Sequence, residues 1–181
     1  MNNVSEEQLI ILCGKGNELA LKTIFEKYSK TMMGVCMRYT NDYDTAQDVL
    51  QDSFIKAFGA IRNFQAKGSF EGWLRKIVVN TALENIRKNK KKQHDITIDE
   101  SFDTGIDETI SASISAKVLL NVIQKIPEGY RTIFNLFAIE GYTHKEIGEL
   151  LHISENTSKS QYSRAKVYIQ KVLKSELIHE E

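Results

Sequence analysis

The side chains best suited to act on another molecule gather late in the chain, in Ser154-Glu155-Asn156-Thr157-Ser158-Lys159-Ser160-Gln161-Tyr162-Ser163-Arg164-Ala165-Lys166. Read as a helix, this segment puts Asn156, Lys159, Ser160, Ser163, Arg164 and Lys166 on an outer face, with Thr157 beside them. Amide and hydroxyl groups can read base edges and cations can hold phosphates, so the mixture suits duplex DNA, with the N-terminal half of the helix in the major groove. A merely solvated amphipathic helix would look similar. The surrounding elements have to decide.

Those elements read as a helix-turn-helix. Pro127 breaks the chain after Ile126 and suits the first turn of a new helix, whose apolar stripe is Tyr130, Ile133, Phe134 and Phe137. Gly141 supplies a left-handed stop. Thr143-His144-Lys145-Glu146 has the form of a capping box and opens a short scaffold helix that buries Ile147, Leu150 and Leu151. Gly148 in its middle costs roughly 1 kcal/mol against Ala, which a close crossing by the next helix would explain. His152-Ile153 makes the turn and Ser154 caps the last helix, which turns Tyr162, Ala165, Ile169, Val172 and Leu173 inward.

Composition narrows the class. Of 181 residues, 41% are apolar and 27% charged, with a single proline and no sustained strand alternation, so an all-α fold is expected. No apolar run approaches a membrane span, and the polar start Met1-Asn2-Asn3-Val4-Ser5-Glu6 is unlike a signal peptide, which predicts a cytoplasmic protein. Cys13 and Cys36 are too few for a disulfide framework or zinc site and read as buried free thiols. His94, His144, His152 and His179 lie apart, and no Gly-rich phosphate loop is present. No enzyme constellation, metal or cofactor is therefore expected.

Net charge is zero but unevenly spread. Residues 60–92 carry nine basic side chains against Glu71 and Glu84, and residues 93–117 carry six acidic ones against Lys117. The first stretch is an electrostatic footprint suited to nucleic acid. The second, rich in Ser, Thr and Asp, reads as a linker of limited order. The predicted organisation is a first domain over 1–92, a linker over 93–117 and a second domain over 118–181.

Four helices are predicted in the first domain. Ser5-Glu6-Glu7-Gln8 opens a short one that ends at Cys13-Gly14-Lys15-Gly16. The second, 17–39, has Leu21, Ile24, Phe25, Tyr28, Met32, Val35, Cys36 and Tyr39 as its core face. The third, 44–58, buries Ala46, Val49, Leu50, Ser53, Phe54 and Ala57, and turns Asp44, Asp48, Gln51 and Asp52 outward as an acidic face fit for a basic partner. After a loop over 62–68, Ser69 caps the fourth. Phe64, Phe70 and Trp73 lie there among Lys67, Arg75 and Lys76, a combination that stacks on unpaired bases while holding their phosphates. Trp73 and Phe70 could equally pack their helix on its neighbours, whereas Phe64, on the loop, is the better base contact.

Taken together, Asp48-Val49-Leu50-Gln51-Asp52-Ser53-Phe54-Ile55-Lys56-Ala57-Phe58, Phe64, the run from Phe70-Glu71-Gly72-Trp73 to Thr81-Ala82, the acidic segment, and the stretch from Ile126-Pro127 to Arg164-Ala165-Lys166 resemble an extracytoplasmic-function sigma factor over nearly the whole chain. The resemblance implies two helical domains, sigma regions 2 and 4. It implies binding to core RNA polymerase through Asp48, Gln51, Asp52 and Ile55. Ala60, Phe64, Ser69, Phe70 and Asn80 would capture a base of the minus-10 element, flipped at a cost of a few kcal/mol. Lys159, Ser160, Ser163 and Arg164 would read the minus-35 element, with phosphate contacts from Lys166 and the scaffold-helix N-terminus near Thr143. It also implies an anti-sigma factor as partner. Two positions depart from the family: His152 stands where Gly is common, and Ser163 is smaller than the aromatic some members carry. The competing reading is a sigma mimic or helix-turn-helix regulator that never recruits polymerase.

Overall fold

The computed structural model describes residues 4–92 and 116–178. Most of the expected acidic linker lies outside them. All regular structure among the described residues is helical, with no strand, and the chain divides into two units, Met1–His94 and Asp95–Glu181.

The first unit holds α1 (Glu6–Gly14), α2 (Glu18–Tyr39), α3 (Tyr43–Ala60), a 3-10 turn (Ile61–Asn63) and α4 (Phe70–Lys92). Each start has a chemical cause. Ser5 and Gln8 form the expected capping box, Asn17 accepts from the Ala20 amide at 3.0 Å, and Asp42 accepts from the Thr45 amide at 2.7 Å. Helices α2, α3 and α4 pack against one another around Ile24, Met32, Val35, Leu74 and Val78. The buried set of α3 is the predicted one, residue for residue. On α2 the stripe is narrower than expected. Leu21 is half-buried, and Phe25 is 40% exposed with its ring edge-on to Phe54 at 4.8 Å. Phe25 falls at the margin of the stripe, where Phe54 of α3 meets one side of the ring.

Helix α1 is tied down by its first residue: Glu6 accepts from both the Lys27 ammonium and the Tyr28 hydroxyl. Those two bonds, Lys27 first, hold its carboxyl below the usual range. Cys13 and Cys36 are buried and free, as expected, and burial pushes the Cys36 thiol up to about 12.

The second unit holds α5 (Ala116–Lys125), α6 (Glu128–Phe134), α7 (His144–Leu151) and α8 (Glu155–Ile178). Helix α5 begins two residues before the expected boundary. Pro127 sits just ahead of the first helical residue, its carbonyl accepting from the Arg131 amide at 2.9 Å. Sequence periodicity missed the end of the α6 segment. A π-helical turn, Asn135–Ile139, inserts one extra residue before the stop, with the Glu140 amide donating to the Asn135 carbonyl at 2.9 Å. Gly141 then takes the left-handed conformation (φ 78°), as expected. Arg131 was not foreseen as buried, yet it is 1% exposed, and its guanidinium donates to the Gln124 carbonyl at 3.0 Å. It thereby closes the C-terminal end of α5 against α6.

No helix among the described residues is long and apolar enough to cross a membrane.

Candidate nucleic-acid interface

In the first unit, the loop between α3 and α4 folds back over the start of α4 and leaves a pocket of about 390 Å³. Its lining is Asn63, Phe64, Gln65, Lys67, Gly68, Ser69, Gly72, Trp73 and Lys76. This is a volume suited to one small planar ligand. Phe64 and Trp73 are half-buried, with ring centroids 5.5 Å apart, while Lys67 and Lys76 are exposed at the rim. Two anchors hold the loop. Ile61 is buried at its entry, and at its exit Ser69 Oγ accepts the Gly72 amide at 3.1 Å. Between them Ala66 takes a left-handed conformation (φ 52°), which reverses the chain.

Of the residues expected to face minus-10 DNA, Phe64, Lys67, Ser69, Trp73 and Lys76 meet at this pocket. Ala60, Phe70, Arg75 and Asn80 do not line it. Asn80 is exposed one helical turn beyond Lys76 on the same stripe of α4, and Ala60 and Arg75 are half-buried. Phe70 requires correction. At 2% exposure it cannot reach a base, because it is wedged between Tyr28 (5.5 Å), Phe64 (5.4 Å) and Trp73 (5.4 Å). It is the floor on which the two accessible rings stand. Trp73 packs on Phe70, the second of the two readings the sequence left open, and its ring also lines the pocket. Lys90, Lys91 and Lys92 fall at the end of α4, where side chains lie outside the described residues.

The outer face of α3 is built as expected: Asp44, Asp48, Gln51 and Asp52 are exposed, and Ile55, 62% exposed, sets an apolar side chain among them.

In the second unit, Thr143 and Glu146 form the predicted capping box of α7. The Glu146 carboxylate accepts from the Thr143 amide at 2.8 Å and its hydroxyl at 2.7 Å, so the protein's own anion lies at this helix N-terminus. A phosphate contact near Thr143, expected from the same residues, would meet the charge of that carboxylate. His152 ends α7 in the left-handed conformation (φ 57°, ψ 45°), where a side chain costs roughly 1–2 kcal/mol. Replacing His152 with Gly is expected to raise the unfolding free energy by about 1 kcal/mol, less the extra entropy of Gly in the unfolded chain; chemical denaturation checks this.

Helix α8 starts on Ser154, whose Oγ accepts the Thr157 amide at 2.9 Å and lies 2.7 Å from the Thr157 hydroxyl. Thr157 thus takes part in the cap through both its amide and its hydroxyl. Asn156, Lys159, Ser160, Arg164 and Lys166 are exposed and Ser163 is half-buried. Lys159 pairs with Glu155 at 2.7 Å, and Lys166 lies 5.3 Å from the centre of the Tyr162 ring. Arg164 receives an orienting contact from another helix, its guanidinium donating to the Tyr130 hydroxyl at 3.3 Å.

Sequence reading also missed how α7 and α8 are joined. His144, set aside as one of four scattered histidines, stacks on Phe137 at 4.1 Å, and its Nδ1 pairs with the buried Ser158 hydroxyl at 2.9 Å. Burial and then the Lys159 charge lower its pKa, so the ring is neutral at neutral pH. A Ser at the fourth position of α8, one turn before the inward-facing Tyr162, was the available signal.

A family model for Sigma-70 region 2 matches residues 24–92, and one for Sigma-70, region 4, matches residues 116–169. The chain is 29% identical to the RNA polymerase sigma-H factor of Pseudomonas aeruginosa over 93% of each chain. It is 26% identical to the ECF RNA polymerase sigma-E factor of Haemophilus influenzae over 92% of this chain and 94% of that one. Among solved structures, the sigma factor RpoE of Bartonella quintana, in complex with the anti-sigma factor NepR, superposes with a TM-score of 0.53 at 19% identity, covering 84% of this chain and 96% of that chain. That likeness carries the fold. With both regions present in order and relatives matched over nearly their whole length, the chain belongs to the extracytoplasmic-function branch of the sigma-70 family.

Proposed function

We propose that the protein binds core RNA polymerase and directs it to a restricted set of promoters, the first domain (1–92) opening the minus-10 element and the second (118–181) reading the minus-35 element. The observation that carries this reading is the pocket walled by Phe64 and Trp73, with Lys67 and Lys76 at its mouth. Stacking on such rings stabilises an unpaired base by about 1–3 kcal/mol, comparable to the cost of extruding it. The chain itself makes and breaks no bonds; polymerase is the catalyst. Asp48, Gln51, Asp52 and Ile55 form the polymerase-docking face, acidic with one apolar anchor. An anti-sigma factor, of the kind that accompanies the Bartonella quintana protein, would control access to these surfaces.

The direct test is transcription by core polymerase plus this protein from promoters found by mapping its genomic binding sites. Absence of initiation from every mapped site would sink the reading in favour of a sigma mimic. Two substitutions separate the surfaces. Asp52→Arg is expected to weaken polymerase binding by about tenfold or more, mainly through slower association at low salt, and to leave duplex binding alone. Arg164→Ala is expected to cost about 1–3 kcal/mol in minus-35 binding, read by competition against single-base variants of the site. Loss of polymerase binding in that variant would show α8 to be misassigned.

A further inference from the structure

Arg62 opens the capture loop and would ordinarily be counted among its phosphate-binding cations. Its surroundings give it another task. Helix α1 ends at Gly14 with carbonyls that lack partners inside the helix and carry partial negative charge. The Leu12 carbonyl accepts from the amides of Lys15 (3.0 Å) and Asn17 (3.1 Å), and the Cys13 carbonyl from Gly16 (2.9 Å). The Gly14 carbonyl accepts from Arg62 Nε at 2.6 Å. The Arg62 stem lies along Gly14, where an added Cβ would sit 3.5 Å from Arg62 Cγ.

This contact spans 48 residues and joins the end of α1 to the residue immediately before the pocket lining begins at Asn63. Helix α1 reaches the same pocket from its other end. Glu6 holds the Tyr28 hydroxyl, the Tyr28 ring packs on Phe70 at 5.5 Å, and Phe70 carries Phe64 and Trp73. We propose that Arg62 is a positioning residue: by closing the C-terminal end of α1 it sets the loop that holds Phe64 against Trp73, and α1 serves as a brace for base capture. This rests on the proposed function for its DNA consequence, but the brace itself stands on the contacts.

Trp73 is the single tryptophan of the chain and lines the pocket, so its fluorescence reports the geometry directly. In full-length Arg62→Ala, the emission of Trp73 is expected to shift red and acrylamide quenching to rise, with Arg62→Lys intermediate because an ammonium still donates to the carbonyl. In the holoenzyme, a single-stranded oligonucleotide selected from a random pool by the wild-type holoenzyme is expected to bind Arg62→Ala about tenfold more weakly, with an unchanged salt slope. Unchanged Trp73 fluorescence together with a salt slope smaller by about one would identify Arg62 as a phosphate ligand and overturn the proposal. Unchanged fluorescence and unchanged affinity would overturn it as well. Failure of the selection to yield any oligonucleotide would count against the proposed function, while the fluorescence comparison would still decide the brace.

Discussion

Phe70→Ala is expected to destabilise the first domain by about 3–5 kcal/mol, the cost of emptying a fully enclosed aromatic site. Phe70 is 2% exposed and touches rings from three directions: Tyr28 on α2, Phe64 on the loop and Trp73 on its own helix. Collapse around the vacancy would have to move α2 toward α4, which the packing of Leu74 and Val78 opposes. The paired expectation for Phe64→Ala is opposite in kind. That ring is half-buried at the edge of the cluster, so stability should fall by only about 1 kcal/mol, while minus-10 binding should lose about 1–3 kcal/mol. Denaturant unfolding and oligonucleotide binding, measured on both variants, separate the two. Equal losses of stability would mean that the loop is part of the core.

The second large effect is at Gly148. Helix propensity alone favours Ala there by roughly 1 kcal/mol. An added Cβ, however, would lie 2.9 Å from the Ile153 carbonyl and 3.5 Å from the Glu155 amide, both of them backbone atoms. The same turn is pinned to Gly148 by its own carbonyl, which accepts the His152 amide and, at 3.0 Å, the Ile153 amide. Because neither side can give without breaking those bonds, Gly148→Ala is expected to destabilise the second domain by about 1–3 kcal/mol net. A stabilised variant, by thermal unfolding, would show that the turn yields freely.

That glycine shows how far the sequence was legible. A Gly in a helix signals close approach, but the approaching group is the turn and the first residue of α8 rather than the helix crossing that was expected. The stripe of α3 could be read completely because burial there follows a period of 3.6 and a single face. Phe25 on α2 could not, since its exposure depends on where α3 lies beside it. The two capping boxes are local and legible, yet that at Thr143 also sets a carboxylate beside the phosphate contact expected there, which is visible only once Glu146 is placed. Phe70 and Phe64 are the same residue type six positions apart. The difference between floor and wall is made by Tyr28, more than 30 residues earlier in the chain. Arg131 carried no periodic signal, and the spacing that put Ser158 inward did not show His144 as its partner, because each is a polar group whose partner is a neighbour in space.

The carboxylate at the head of α7 has a consequence for how the two domains work together. On the proposed function, Glu146 at the head of α7 and the exposed Lys159–Glu155 pair each set a modest electrostatic cost against an approaching phosphate, so the second domain's hold on DNA is moderated. A moderated hold releases sooner when the chain is alone. Once the first domain is seated on polymerase, the covalent link between the domains makes the second encounter intramolecular, which raises its effective concentration. On the proposed function, weakness becomes a form of licensing: the free protein leaves promoters vacant, and occupancy is reserved for the assembled holoenzyme.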